Sequence, residues 1–134
     1  MSNLGQHPQQ WLQSNAFMVH NHIQMDKMET DHAVFRLDIC PESWNPMGMV
    51  HGGAMYTLAD NAAGAAAYSD GRVYVTQSGT LHFLRNQSEG VLLAEARVRH
   101  RGKMTCVVTV DITGDEGALI ATGDFSFFCI GKQE

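Results

Sequence analysis

The chain has 134 residues, of which 44% are hydrophobic and 17% are charged, and its formal net charge is −5. This length and apolar content suit one core of ordinary size and argue against a two-domain enzyme. The acidic balance argues against a general nucleic-acid coat, because counterion release on phosphate backbones needs a cationic face. So little charge on a small domain also suggests that part of its surface is buried in an oligomer.

The sequence indicates no export signal, no membrane-spanning segment and no metal centre. The first 13 residues lack the basic start and apolar run of a signal peptide, and the longest uncharged stretch ends at Asp60, too soon to span a bilayer. We therefore expect a cytoplasmic protein that does not contact a membrane. The cysteines, Cys40, Cys106 and Cys129, form no CxxC pair, and the seven histidines are scattered. Neither a disulfide framework nor a metal site is predicted.

The N-terminal third is read as a flexible segment, a short helix and one strand. Residues 1–8 are polar, and we expect them to be flexible. The mixture of apolar and polar residues from Trp11 to Phe17 suggests a short helix after Pro8. From His32 to Ile39 apolar and polar residues alternate, which predicts a half-buried strand before a loop over Pro41–Gly53.

The segment Ala54–Tyr68 contains seven alanines and almost no charge, which predicts a buried helix. Small side chains let other backbone approach closely, so we expect a sheet to wrap around this helix. Four segments rich in alternating or β-branched residues follow, and turn signals separate them, which predicts antiparallel strands. They are Arg72–Leu84, Val91–Arg99, Met104–Ile112 and Leu119–Cys129. One strand, one central helix and four more strands make an α+β domain.

The most informative stretch is N-P-M-G-M-V-H-G-G, residues 45–53, just before the alanine-rich helix. Glycines at a helix start leave backbone N–H groups uncovered at the positive end of the helix dipole, where a developing oxyanion is stabilised. Gly52 is the candidate donor. The alternative is that Gly52 and Gly53 only permit a tight turn from loop to helix.

Asp60 is the only charged residue in the predicted helix. A carboxylate among alanines either points to water or is partly buried with a partner. Near a cleft it can act as nucleophile or general base, since desolvation raises the pKa of a carboxyl group. The alternative is a solvent-facing residue, for which this helix offers little polar surface.

The pattern Asn-x-x-Gly-x-x-His-Gly-Gly, with an acid seven residues after the second glycine, resembles the hotdog-fold acyl-CoA thioesterases of the PaaI (phenylacetic acid degradation) type. The predicted elements agree with a hotdog fold, a curved antiparallel sheet around a central helix, from about His32 to Cys129. The resemblance implies that residues 1–134 form a single hotdog domain that hydrolyses an acyl- or aryl-acyl-CoA to free acid and CoA. The matching residues are Asn45, Gly48, His51, Gly52, Gly53 and Asp60.

The resemblance also implies catalytic roles for four residues. Asp60 is expected to be nucleophile or general base towards the thioester carbonyl, and the Gly52 N–H group is expected to polarise the carbonyl oxygen. Asn45 is expected to orient the carbonyl group or the water. A Ser or Thr on the strand after the helix supports the site in this family, and Ser78 matches best.

The remaining site residues are expected to bind substrate. Thr76 and Gln77 are the neighbours of Ser78, and His51 and Gly53 flank the oxyanion donor. His51 is expected to be structural and not a base, because a helix N-terminus lowers the proton affinity of an imidazole.

Coenzyme A carries phosphate charges that an acidic protein must neutralise locally. Four of the nine basic residues fall between Arg97 and Lys103. Groups at strand ends and turns reach the rim of a cleft most easily, so Arg85, Arg101, Gly102 and Lys103 are the predicted phosphate-binding residues. The alternative for the basic segment is an ordinary solvated strand face and hairpin.

Active sites of this family lie at a dimer interface, which implies a homodimer with two equivalent sites and suggests a dimer of dimers. Asn45 and Gly52 of one subunit would face Asp60 and Ser78 of the other. No cofactor is implied, because CoA is part of the substrate. The alternative function is a non-catalytic hotdog module that binds acyl-CoA or acts as an assembly partner. The sequence does not identify the acyl group.

Overall fold

A computed structural model describes residues 15–132 of the chain. The expected flexibility of residues 1–8, and most of the helix predicted after Pro8, therefore lie outside the described residues. The first described helix begins one residue before Phe17. The elements are α1 (Ala16–His20), β1 (Ile23–Glu29), β2 (His32–Asp38), α2 (Gly52–Tyr68), β3 (Arg72–Phe83), β4 (Val91–Arg101), β5 (Thr105–Thr113) and β6 (Leu119–Lys132).

The strands form one antiparallel sheet in the order β1-β2-β4-β5-β6-β3, and α2 contacts all six of them. Hairpin connections explain the antiparallel neighbours β4-β5 and β5-β6, because short turns join adjacent strands. The α+β hotdog architecture predicted from the sequence is confirmed. Two strands, β1 and β3, are left at the edges of the sheet.

The α2 helix is the centre of the core. Its alanines from Ala59 to Ala67 have no exposed surface, and neither has Leu58. Because alanine projects only a methyl group, strands pack closely around the helix, and large sheet side chains such as Phe35 and Phe125 fill the remaining space. The prediction of a buried helix is confirmed. Within residues 15–132 no helix has both the length and the apolar character required to cross a bilayer.

Strand β1 was not predicted, so the expectation of one strand before the central helix was wrong. Only Ile23 of this strand is fully buried, and the pairing with β2 shifts register between Met25 and Lys27. An edge strand is largely exposed and therefore carries few apolar residues. The register shift also interrupts the alternation of apolar and polar residues by which a strand is recognised in a sequence.

Strand β3 contains a β-bulge at Gln77. Thr76 pairs with Phe127 and Ser78 pairs with Ser126, so Gln77 has no partner in the β6 register. Phe127 is buried beneath the sheet, which places Thr76 on the side of α2. The extra residue reverses the following side chains, so Ser78 lies on the outer face.

Arg101 holds the C-terminal end of α2. Its guanidinium group donates to the carbonyl oxygens of Ala67 at 2.9 Å and Ala66 at 3.1 Å, and it pairs with Asp31 at 2.8 Å and Asp70 at 2.9 Å. These carbonyl groups lie in the last turn of the helix, where the N–H groups four residues further on no longer belong to the helix and where the helix dipole is negative. A cationic donor such as Arg101 satisfies the carbonyl groups and also offsets the dipole.

Replacing Arg101 by alanine removes this cation and leaves Asp70 with fewer donors. We expect the Arg101→Ala substitution to lower the free energy of unfolding by about 2–3 kcal/mol, the scale of lost hydrogen bonds to charged groups. Urea denaturation followed by circular dichroism measures it. The matched control is Arg97→Ala on the same strand, where a side chain that is 62% exposed pairs with Glu95. The free energy of unfolding of Arg97→Ala should fall by less than about 0.5 kcal/mol. Equal decreases in both variants would contradict the role of Arg101.

Candidate active site

Asp60 projects from the third turn of α2 towards β3. The Thr76 hydroxyl group donates a hydrogen bond to Asp60 Oδ1 at 2.9 Å. Burial raises the pKa of Asp60 above its ordinary value, and the hydrogen bond from Thr76 opposes part of that rise. A carboxylate that is poorly solvated and held by one donor is more basic than a surface aspartate. It is therefore suited to general-base or nucleophilic work.

The structure brings Thr76, and not Ser78, to Asp60. The Ser78 hydroxyl lies 2.9 Å from that of Ser126 on the outer face of the sheet. Gln77 is exposed at the edge of the sheet, at the bulge. The resemblance implies Ser78 at this position, but the bulge that exchanges the faces of neighbouring residues has no signature in the sequence.

The N-terminus of α2 is capped by His51. Its Nδ1 atom accepts a hydrogen bond from the Gly53 N–H group at 2.8 Å, so the proton of the neutral ring resides on Nε2. A Cβ atom on Gly53 would lie 3.0 Å from Nδ1, which explains a glycine here. The Gly52 N–H group, at the positive end of the helix dipole, finds no acceptor within residues 15–132. It is therefore available to a ligand oxygen.

Asn45 shapes the loop that leads into α2. Its Oδ1 atom accepts from the N–H groups of Met47 at 2.9 Å and Met49 at 3.2 Å. In the part of the chain that the structure describes, no acceptor takes the Asn45 amide protons. An open cleft of about 420 Å³ lies beside this loop, lined by Asn45, Val50, Gly52, Met55, Phe83, Leu84, Arg85 and Asn86.

Of the predicted phosphate-binding residues, Arg85 lines this cleft and the others do not. Arg85 is exposed, and no carboxylate among residues 15–132 pairs with it. Gly102 and Lys103 lie in the turn between β4 and β5, where their carbonyl oxygens accept from Arg72. Arg101 is engaged at the C-terminal end of α2, the opposite end from the cleft, and its side chain is only 19% exposed.

The two halves of the site are separated within one chain. Gly52 and Asp60 are eight residues apart on α2, which corresponds to about 12 Å along the helix axis. Within one chain, these two groups therefore do not converge on a single point. In this candidate site we name Asp60 with Thr76 the acid half and Gly52 with Asn45 the oxyanion half.

Within the described residues, one group of side chains combines several metal-ligating atoms. The ligand atoms of His22, Cys40 and Glu42 lie within 4.8 Å of one another. The group is on the surface, where His22 Nε2 is 3.9 Å from Glu42 Oε1, and it does not line the cleft. The predicted lack of a metal requirement stays a prediction.

Comparison with known proteins identifies the family. Residues 47–121 match the family model described as the thioesterase superfamily. The acyl-coenzyme A thioesterase PaaI of Escherichia coli is 33% identical over 100 residues, which cover 74% of this chain and 71% of that protein. The solved structure of E. coli PaaI superposes with a TM-score of 0.89 at 29% identity, over 96% of this chain and 94% of the other.

A hypothetical thioesterase from Streptococcus pneumoniae provides a second comparison. Its structure with coenzyme A has a TM-score of 0.86 at 28% identity and covers 93% of this chain and 98% of the other. Alanine variants of an aspartate and of a threonine in that protein have also been solved, each 31% identical over 82% of this chain with a TM-score of 0.78; they cover 92% and 91% of the other chain. Those two positions are 16 residues apart, as are Asp60 and Thr76.

A 1,4-dihydroxy-2-naphthoyl-CoA hydrolase from Listeria monocytogenes is 29% identical over 102 residues, 73% of this chain and 82% of that protein. The solved structures thus agree with the six-stranded sheet and central helix, and the family model and the curated relatives agree on a thioesterase. The chain therefore belongs to the thioesterase superfamily, and it is a thioester hydrolase with the hotdog fold of the PaaI type.

Proposed function

We propose that the protein hydrolyses an acyl- or aryl-acyl-CoA to the free acid and CoA, with one hotdog domain as the catalytic unit and no cofactor besides the substrate. The observation that carries this proposal is the Asp60–Thr76 pair, a desolvated carboxylate with a hydroxyl donor. Two relatives, from E. coli and L. monocytogenes, are named as hydrolases of CoA thioesters, and the S. pneumoniae structure contains coenzyme A.

A homodimer with active sites at its interface is part of the proposal. Strand β3 is an edge strand, and its middle, from Val75 to Ser78, is exposed. If two copies of β3 pair antiparallel about their midpoints, the Arg72 end of one strand lies beside the Phe83 end of the other. Asp60 of the partner subunit then approaches the cleft that contains Gly52, which joins the acid half of one subunit to the oxyanion half of the other.

The same arrangement suggests how the acidic protein holds a phosphorylated carrier. Lys103 lies near Arg72, because Arg72 donates to its carbonyl oxygen. Pairing of β3 edges therefore brings Lys103 of the partner subunit towards Arg85 in the cleft. A dimer of dimers would need a second surface, and α1 offers exposed apolar side chains at Phe17 and Val19.

The reaction follows from these positions. The Gly52 N–H group donates to the thioester oxygen and stabilises the charge that develops on it, and the Asn45 amide orients the carbonyl group or the water. As general base, Asp60 takes a proton from water, the water oxygen bonds to the carbonyl carbon, and the C–S bond breaks to release CoA thiolate, which is then protonated. As nucleophile, the Asp60 carboxylate instead bonds to the carbonyl carbon, and the C–S bond breaks to release CoA thiolate, which is then protonated. Water hydrolyses the resulting mixed anhydride to the free acid and the Asp60 carboxylate.

Replacing Asp60 by asparagine keeps the shape of the side chain and removes its basicity. We expect kcat to fall by about a hundredfold to ten-thousandfold, the range attributed to general acid–base groups. The wild-type enzyme should lose kcat/KM as the pH falls through a pKa above that of an ordinary aspartate, because burial raises the pKa of Asp60. Release of free thiol from a panel of acyl-CoA esters measures both effects.

The same variant also controls for folding. The folded-state pKa of Asp60 is raised, so ionisation of Asp60 costs stability at neutral pH, and this cost disappears when the pH falls below the unfolded-state pKa. The Asp60→Asn variant should therefore be at least as stable as the wild type at pH 7. A wild-type protein that is inactive on the whole panel would favour the non-catalytic binding module instead.

Thr76→Ala and Ser78→Ala form a matched pair. Loss of the Thr76 hydroxyl removes the hydrogen bond that lowers the pKa of Asp60, so the acidic limb of the pH profile should move to higher pH. The value of kcat should fall about tenfold, which corresponds to one hydrogen bond of about 1.4 kcal/mol. Ser78→Ala should change neither quantity. A reversed result, with Ser78→Ala moving the pH profile, would assign the supporting role to Ser78.

Arg85→Ala tests the phosphate contact. We expect the KM for acyl-CoA to rise about tenfold with kcat nearly unchanged, because a charge that binds phosphate equally in ground and transition states contributes uniform binding. Arg99→Ala is the control for the loss of one positive charge, since Arg99 lies on β4 and does not line the cleft. Equal changes in KM for the two variants would mean that Arg85 acts only through the net charge of the protein and makes no specific contact with phosphate.

A further inference from the structure

Tyr56 stands one helical turn before Asp60, so the two side chains share a face of α2. Both residues contact β3. The Thr76 hydroxyl donates to Asp60, and the Tyr56 hydroxyl donates to the carbonyl oxygen of Gly79 at 3.3 Å. Tyr56 is 38% exposed, although its hydroxyl group is bound to β3.

The Tyr56 ring is fixed at its hydroxyl end and by its packing. It meets the buried Phe125 ring at a centroid distance of 5.2 Å and an interplanar angle of 62°. Gly79 makes this position possible, because a Cβ atom there would overlap the Phe125 ring and lie 2.5 Å from the Tyr56 hydroxyl oxygen. A ring held in this way cannot swing aside without losing its hydrogen bond and its aromatic contact.

On this face, α2 offers no comparable bulk on the other side of Asp60. One turn later the helix carries Ala63 and Gly64, which project a methyl group and a hydrogen atom. A substrate with its carbonyl carbon within reach of Asp60 must place the first atoms of its acyl group within about one turn of that carboxylate, roughly 5–6 Å. Tyr56 is a large side chain one helical turn from Asp60, and its bond to Gly79 and its contact with Phe125 hold the ring there.

We propose that Tyr56 is the residue that limits the size of the acyl group. This inference rests on the proposed function and deepens it, since it assigns a specificity-determining wall to the same site. The tethered ring admits compact acyl groups and excludes longer or branched ones by steric overlap. Its hydroxyl group takes no part in the chemistry, because it is bound to the backbone of β3.

The test compares large with small substrates. For acetyl-, hexanoyl-, decanoyl- and phenylacetyl-CoA, kcat/KM is measured in the wild type and in Tyr56→Ala, Tyr56→Leu and Tyr56→Phe. In Tyr56→Ala the ratio of decanoyl to acetyl ester should rise about tenfold or more, the scale on which a few methylene groups are discriminated in an apolar pocket. Tyr56→Phe should keep the wild-type order, and Tyr56→Leu should fall between.

An unchanged decanoyl-to-acetyl ratio in Tyr56→Ala and Tyr56→Leu would overturn the proposal, even if both variants lost activity uniformly. Thermal denaturation identifies a variant that fails to fold. If Tyr56→Ala does not fold, the substrate ratio of Tyr56→Leu tests the proposal instead, because leucine keeps apolar volume against Phe125. Isothermal titration with the non-hydrolysable thioethers S-ethyl-CoA and S-decyl-CoA separates this inference from the proposed function. A wild-type chain that hydrolyses no ester refutes the function, while the ratio of the two dissociation constants still decides the role of Tyr56.

Discussion

Strand β3 packs closely against α2, and the environment of Asp60 follows from this contact. This close approach is possible because α2 presents alanine methyl groups to the sheet and because Gly79 has no side chain where Tyr56 and Phe125 meet the strand. The same approach removes water from Asp60 and places the Thr76 hydroxyl on its carboxylate. A helix with larger side chains would hold β3 further away, and Asp60 would then be an ordinary solvated aspartate.

The two ends of α2 differ in how their backbone groups are satisfied. At the C-terminal end, Arg101 supplies a permanent cation to the carbonyl groups of Ala66 and Ala67. At the N-terminal end, His51 takes the N–H group of Gly53 but leaves that of Gly52 uncovered. A helix stabilised at one end can keep an unsatisfied donor at the other, and in the proposed reaction this donor stabilises the developing charge of a substrate oxygen.

The arginines near the two ends of α2 also differ in whether they are paired. Arg72 and Arg101 are close to the C-terminal end of α2 and are bonded to carboxylates and backbone carbonyls. Arg85 remains exposed beside Asn45 and Gly52. In a chain with a net charge of −5, the proposed phosphorylated substrate would therefore meet a local cation and not a broad basic surface.

The amino-acid sequence was sufficient to predict the buried helix, the sheet that wraps around it and the motif from Asn45 to Asp60. Each of these is a local pattern: seven alanines in one segment, alternating residues between turn signals, and an acid at a set distance from a glycine pair. Three other features emerge only in the folded chain: strand β1, the position of Thr76 instead of Ser78 beside Asp60, and the position of Arg101 at the end of α2. The physical reason is that an edge strand, a bulge and a helix-capping cation depend on pairing between segments far apart in the chain. Their energies are settled only when those segments meet.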